Sequence, residues 1–331
     1  MTTAREVAVR AGVSASTVCR VLSGDPRIST VTQKAVKAAV RSCNYRVNHS
    51  ARNLKTKKSF SVGLIVPELV NDFFMQIASG IENELRKNGY TLMICSAEEN
   101  RECEKERIDF LTGRGIDGLI IIPSGNSPLP YRRLLQEKLP FVFVDRTVQK
   151  IKAHAVLVDN TEASYRAVSH LLSTGARRIA YIGGNLSLTT AQERYKGFFS
   201  AVNDHSVSVP DEYIKTGDFH SESGYRLMDA LLSLPELPEY VFITNYFMHI
   251  GAAKRILEKY GKKTSPVLIA GFDDMELSSL LGNTVVTVIQ PVAELGKKAA
   301  SILMEILSQP EKKKMPEVLR LSAQLKIHET K

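Results

Sequence analysis

Ser16, Thr17 and Arg20 fall on one face of the short run Ala15–Leu22, opposite Val18, Val21 and Leu22. The chemistry open to that set is polar recognition: hydroxyls that donate and accept, and a guanidinium that offers paired N–H donors. The surroundings supply the field that such recognition needs. Residues 1–58 hold twelve Lys or Arg (Arg5, Arg10, Arg20, Arg27, Lys34, Lys37, Arg41, Arg46, Arg52, Lys55, Lys57 and Lys58) against Glu6 and Asp25, a balance of +10. The rest of the chain holds 32 basic and 33 acidic side chains, so the whole net charge of +9 lies in the first sixth. Such asymmetry predicts a polyanion partner for that sixth and a neutral task for the remainder.

Covalent, redox and metal chemistry have no comparable support. Cys19, Cys43, Cys95 and Cys103 form no CxxC and sit near no histidine cluster, the pattern of free thiols in a reducing cytoplasm. The seven histidines are scattered, so neither a metal site nor a cofactor is expected. There is no GxGxxG after a strand, no GxxxxGK[ST] and no GxSxG, and "IGGN" (182–185) and "GKKT" (261–264) read as loops. An enzyme is therefore not expected. No apolar run approaches the roughly 18 residues of a membrane span, and the first 30 residues carry no apolar secretory core. The expected location is the cytoplasm.

The elements that must position these residues follow from periodicity. At 331 residues, 44% apolar and 24% charged, the chain suits a globular protein of two or three domains. Val7, Ala8 and Ala11 mark one face of a first helix, which Gly12 can end in a left-handed turn. Ser14 is placed to cap a second helix, Ala15 to Leu22, although Thr17 stands where Glu or Gln would close a capping box. A third helix, about Thr32 to Cys43, sets Ala35, Val36, Ala39 and Val40 inside and Lys34, Lys37 and Arg41 outside. This is a helix-turn-helix, whose second helix a major groove admits. From Ser61 onward, "VGLIVP", "TLMICSA", "GLIIIP" and "FVFVD" read as buried parallel strands between helices such as Phe74–Asn88. The theme recurs in "RIAYIGG", "YIKTG", "YVFIT" and "VLIAGFDD", which predicts two doubly wound lobes with a ligand cleft beyond the strands' carboxyl ends.

The stretch "AREVAVRAGVSASTVCRVLSGDPRIS" (4–29), followed by "NYRVNHSARNL" (44–54), resembles the LacI/GalR family of bacterial transcription regulators. The resemblance continues through "NDFF" (71–74), "FVFVDR" (141–146), "VDN" (158–160), "ERYKGF" (193–198), "GDFHSESGY" (217–225), "GFDD" (271–274) and "VTVIQP" (286–291), hence over nearly the whole chain. It implies an α/β fold with an N-terminal headpiece (1–58) and a periplasmic-binding-protein-like body (59–331). Lobe 1 would be about 60–158 plus 291–318, and lobe 2 about 159–290 plus 319–328, with "LRLSAQLKI" back in lobe 2. By the same resemblance Ala15, Ser16 and Arg20 would face base edges, and Thr3, Ser14, Thr17, Ser23, Arg27, Ser29 and Thr32 would hold phosphates. Because Ala15 and Ser16 are small, Arg20 then carries more of the reading. Residues 48–54 would fold as a hinge helix on DNA, with Asn48, Ser50 and Ala51 at the duplex and Leu54 wedged into its minor groove.

The implied effector site joins Phe73, Phe74 and Phe219, which can lie against the C–H faces of a sugar or a purine, to Asp145, Asn160, Arg194, Asn245 and Asp273, which can bond hydroxyls or a carboxylate. Tyr246 stands where the family usually has Asp, either adding an aromatic wall or removing an acceptor. The ending "KIHETK" lacks a leucine heptad, which favours a dimer over a coiled-coil tetramer. The expected partners are thus near-palindromic double-stranded DNA, a small-molecule effector and a second copy of the chain, with no membrane. A sugar-binding module, or a regulator answering to a partner protein, are the alternatives.

Overall fold

The computed structural model describes residues 3–22, 25–45, 58–261, 265–273, 283–309, 311 and 315–328. Ser23, Asn48, Ser50, Ala51 and Leu54, and with them the expected hinge helix, lie outside the described residues. The chain divides into two compact units, residues 1–59 and 60–331.

In the first unit α1 (Ala4–Ala11), α2 (Ala15–Leu22) and α3 (Thr30–Ser42) close around Val7, Ala8, Val18, Val21, Val36 and Ala39. Thr3 caps α1, its oxygen accepting from Glu6 N, and Gly12 ends the helix at φ 65°. There a Cβ would meet nothing, so the left-handed backbone alone favours glycine. Ser14 Oγ accepts from Thr17 N at 3.2 Å and so caps α2. Ser29 caps α3 through Thr32 N. One expectation is corrected here. Ala35 is exposed rather than internal, because the buried stripe of α3 is the i, i+3 pair Val36–Ala39, and Ala35 points away from it.

The second unit contains two six-stranded sheets. The first has the order β11-β5-β4-β3-β1-β2, with β1 (Ser61–Val66), β2 (Thr91–Ser96), β3 (Gly118–Ile121), β4 (Phe141–Val144), β5 (His154–Val158) and β11 (Val318–Leu321), every pairing parallel. The second has the order β12-β10-β9-β8-β6-β7, with β6 (Ile179–Gly183), β7 (Ile214–Thr216), β8 (Tyr240–Ile243), β9 (Leu268–Phe272), β10 (Thr284–Ile289) and β12 (Gln324–Ile327). Only β12 runs antiparallel, against β10. Helices α4 (Asp72–Lys87), α5 (Arg101–Gly113), α6 (Leu129–Glu137) and α11 (Val292–Ser308) belong to the first lobe. Helices α7 (Asn160–Ser173), α8 (Thr189–Asp204), α9 (Ser221–Leu232) and α10 (Tyr246–Tyr260) belong to the second.

Unbroken runs such as "SVGLIV" and "IAYIG" are buried along nearly their whole length, as strands covered on both faces must be. The run "TLMICSA", expected to be buried as well, is corrected: it forms β2 at the edge of the first sheet and is largely exposed, because an apolar run does not show whether its strand has a neighbour on each side. Helix α4 begins at Asn71, whose oxygen accepts from Phe73 N, and buries Phe74, Ile77, Ala78, Ile81 and Leu85. The chain passes between lobes three times: between β5 and α7, between β10 and α11, and between β11 and β12. The last crossing corrects the expected boundary. Leu319–Leu321 pair with Val156–Val158 in the first lobe, so only the part of "LRLSAQLKI" from β12 onward lies in the second. Strand alternation cannot show this, because both edge strands carry half-exposed patterns that suit either sheet.

Candidate functional site

On the headpiece, Ser16 and Arg20 are exposed on α2, while Ala15 and Thr17 are half-buried. Ser14 Oγ lies 2.8 Å from Ser16 Oγ and 2.9 Å from Thr17 Oγ1, so the three hydroxyls form one local set at the start of the helix. Thr3, Ser29 and Thr32 keep the first turns of α1 and α3 in order, Thr3 and Ser29 by capping and Thr32 by giving its N–H to Ser29. Arg27 is held differently. Its Nε and Nη2 reach the two oxygens of Asp25 at 2.9 and 2.7 Å, and Asp25 Oδ1 also accepts from Arg27 N at 3.0 Å. The hydrogen bond from the Arg27 side chain pulls the Asp25 carboxyl down to about 2. This expected phosphate holder is therefore already engaged.

In the body, one cavity of about 50 Å³ opens where the carboxyl ends of the two sheets face each other. Phe73, Phe74, Asp145, Arg194, Phe219, Asn245, Tyr246 and Asp273 all line it, eight of the nine expected residues. Asn160 does not line it. It is fully buried behind Arg194 and accepts from Arg194 Nε at 2.7 Å.

Each side chain arrives from the end of a strand or the start of a helix. Asp145 follows β4 and Asp273 follows β9, while Phe219 lies in the loop after β7, and all three adopt left-handed backbone (φ 65°, 70° and 71°). Non-glycine residues in that region are strained, and such strain collects at sites whose geometry is fixed by surrounding structure. Phe219 packs its ring directly on Gly184, where any Cβ would collide with it. Asn245 caps α10 by accepting from Met248 N at 3.0 Å and donates to Phe219 O at 3.0 Å, so it fixes the aromatic wall as well. Tyr246, the first residue of that helix, forms part of the lining.

The electrostatics are those of a crowded, buried polar site. Arg194 is 6% exposed, donates from Nη1 to Thr244 O at 2.5 Å and from Nη2 to Gln290 Oε1 at 3.3 Å, and lies 3.7 Å from the centre of the Phe272 ring. Burial pushes its guanidinium below the usual range, opposed by the charges of Asp273 and Asp145. Gln290 donates in turn to Asp273 Oδ1 at 2.6 Å, and burial raises the Asp273 carboxyl. Asp145 is 5% exposed, and burial lifts it to about 6 against the pull of Arg146 and Arg194. Its Oδ1 has no hydrogen-bond partner. Arg146 forms a bidentate pair with Glu99, both bonds at 2.9 Å, and its guanidinium carbon lies 5.9 Å from the ring centres of both Phe74 and Phe219.

Arg146, Gln290 and Thr190 were not singled out from the sequence, yet they line the same cavity. The first two lie inside "FVFVDR" and "VTVIQP", each beside a residue or strand that marked the resemblance, and that adjacency was the available signal. Glu99 carried none, because it meets Arg146 only through the fold. Among the described residues, no cluster of His, Cys, Asp and Glu suits a metal ion, and no helix is long and apolar enough to cross a membrane.

Comparison with known proteins covers both units. Residues 3–48 match the family of bacterial regulatory proteins of the lacI family, and residues 59–329 match the periplasmic binding proteins and sugar binding domain of the LacI family. The HTH-type transcriptional repressor PurR of Aliivibrio fischeri is 31% identical over 333 residues, 98% of this chain and 99% of that protein. The ribose operon repressor of Escherichia coli is 30% identical over 312 residues, 94% of each. A Lac repressor bound to ONPG in its repressed state superposes with a TM-score of 0.87 at 25% identity, over 100% of this chain and 99% of that one. The chain belongs to the LacI family, and is a DNA-binding transcriptional regulator controlled by a small-molecule effector.

Proposed function

We propose that the protein is a cytoplasmic, homodimeric repressor without catalytic turnover, and that its effector is a neutral, hydroxyl-rich ring of monosaccharide size. The observation that carries the ligand class is the charge balance of the cleft. Glu68, Glu99, Asp145, Asp218 and Asp273 line it against Arg146, Arg194 and His220, and Glu99 already neutralises Arg146. The remaining carboxylates outnumber Arg194, so the field repels an anion and disfavours a sugar acid. Hydroxyls suit what is left: Asp145 Oδ1 is an acceptor without a partner on a residue that lines the cavity, and the phenyl rings of Phe73, Phe74 and Phe219 offer faces for C–H groups. The name of the ribose operon repressor among the relatives agrees with that size. A cavity of about 50 Å³ has room for only a few waters, so a sugar enters by parting the lobes or moving Phe219.

On the DNA side, Ala15, Ser16 and Arg20 read bases while Thr3, Ser14, Thr17, Ser29 and Thr32 set register on the phosphates, Arg27 joining them once released from Asp25. Dimerisation has a candidate surface in the first lobe, where Met93 and Ile94 are exposed on the edge strand β2 and Leu69 and Val70 are exposed after β1. Two copies related by a two-fold axis require a near-palindromic operator. Effector binding changes the lobe angle and with it the separation of the two linkers, shifting operator affinity by the differential affinity of the effector for the two arrangements.

Selection of duplexes from a random library, repeated with neutral sugars and with sugar acids, tests the whole reading. A palindromic consensus whose affinity changes only with a neutral sugar supports it. Enrichment of no sequence, or a response confined to acids, refutes it.

A further inference from the structure

Beside each of the three crossings between the lobes, one polar side chain reaches the same dipeptide, Glu193–Arg194, near the start of α8. From the first crossing, Asn160 accepts from Arg194 Nε at 2.7 Å and donates from Nδ2 to Glu193 Oε2 at 3.4 Å. From the second, Gln290 accepts from Arg194 Nη2. Beside the third, Arg320 on β11 of lobe 1 donates to both oxygens of Glu193 in lobe 2, at 2.6 Å through Nη2 and 3.2 Å through Nη1. Arg320 Nη1 also donates to Val158 O at 3.3 Å, which ties it to the first crossing as well. Arg194 faces the cavity, and its neighbour Glu193 faces the hinge.

We infer that the Arg320–Glu193 pair is a hinge lock that couples occupancy of the cleft at Arg194 to the angle between the lobes, with Arg320 and Glu193 acting as positioning residues. The coupling to a ligand rests on the effector reading given above; the lock itself does not. A contact close to a rotation axis moves little, so it senses rotation chiefly through bond angle. A two-pronged guanidinium–carboxylate pair is the kind of contact that tolerates little rotation, because both N–H···O bonds must stay aligned. Asn160 transmits the other half. When a ligand draws on Arg194, the guanidinium shifts against Asn160 Oδ1, and Asn160 Nδ2 is the group that steadies Glu193 for Arg320. An element with two arrangements that both sites bias is what linkage requires.

The test uses the full-length chain with its four cysteines replaced by serine and spin labels at Lys105→Cys in α5 and Arg226→Cys in α9, exposed positions on opposite lobes. Interspin distances are measured without ligand for the parent, Arg320→Met, Glu193→Gln, the double variant and Arg320→Lys. The inference expects each single change to displace or broaden the distribution, Arg320→Lys included because an ammonium cannot hold both carboxylate oxygens in one fixed plane, and the double variant to match the singles. A lower melting temperature with an unmoved distribution would mean ordinary packing and overturns it, as does additivity of the two singles. A second arm measures affinity for the duplex selected by the parent protein, with an expected change of at least about fivefold in the same direction for both singles. Moved distances with unchanged duplex affinity overturn the coupling. Should no duplex be selected, the regulator reading fails, while the distances still decide the lock.

Discussion

Replacing Asp145 by Asn should make the protein more stable and less useful. Asp145 is 5% exposed, its Oδ1 has no partner, and the nearest charge is Arg146 Nε at 3.7 Å. Burial lifts its carboxyl from 3.8 to about 6, so the ionised form is held in the fold at a cost. Each pKa unit corresponds to about 1.4 kcal/mol, which makes the full penalty about 3 kcal/mol above pH 7. The sign follows from linkage. Between about pH 4 and 6 the folded protein holds this proton and the unfolded chain does not, so the contribution to stability falls as pH rises through 6. Asn keeps the shape, cannot ionise and tolerates the left-handed backbone at φ 65°. Asp145→Asn is therefore expected to raise the melting temperature at pH 7.5 by about 6 °C, at 2–4 °C per kcal/mol for a body of this size. The gain should shrink to about half at pH 5. Effector binding should weaken at least tenfold, since the acceptor that a sugar hydroxyl would use is halved in strength and loses its charge. Melting curves at the two pH values, with calorimetric titration of the sugar found by screening, give both readouts. A variant that melts at or below the parent at pH 7.5, or whose gain is independent of pH, refutes the reasoning.

Three further outcomes follow from the geometry. Asp25→Asn releases Arg27, so affinity for a random duplex should rise and the slope of log affinity against log salt should steepen by about 0.9, read by fluorescence anisotropy. Arg20→Ala should cost about 1–3 kcal/mol of discrimination at one base pair per half-site in a binding selection, whereas uniform weakening across sequences would assign it to phosphate. Gly296→Ala should destabilise the body by about 1–3 kcal/mol in denaturant unfolding, because its Cβ would collide with Ile77 O where α4 and α11 cross most closely; on the facing helix a Cβ at Gly80 would meet Ala293 O at 2.6 Å.

What was legible in the sequence is what periodicity and resemblance both address. The three short helices of the headpiece, the order of the two βαβ series and the return to the first lobe near Pro291 appear as read, because apolar runs and glycine-ended helices are strong local signals, but "TLMICSA" proved an exposed edge strand and not a buried one. The misplaced third crossing has a local cause too: β11 and β12 are two short edge strands separated by two residues, and partner choice at an edge is a property of the sheet, not of the strand. Ala35 went wrong because alanine fits either face of a helix, so its type says little about its side.

Asn160 is the more instructive case, because its residue type was legible and its partner was not. A buried amide beside a cleft can bond a ligand or a neighbour, and sequence cannot separate the two, since both need the same donor and acceptor. The fold places Asn160 at the start of α7, where a guanidinium from α8 bonds it. The same reasoning explains Arg146, Glu99 and Gln290, each defined by a partner far away in the chain. Of the residues that line this cleft, those at strand ends and in helices inside the recognisable motifs were readable from the sequence. Those that hold them in place come from the opposite element, and only the packed chain brings them together.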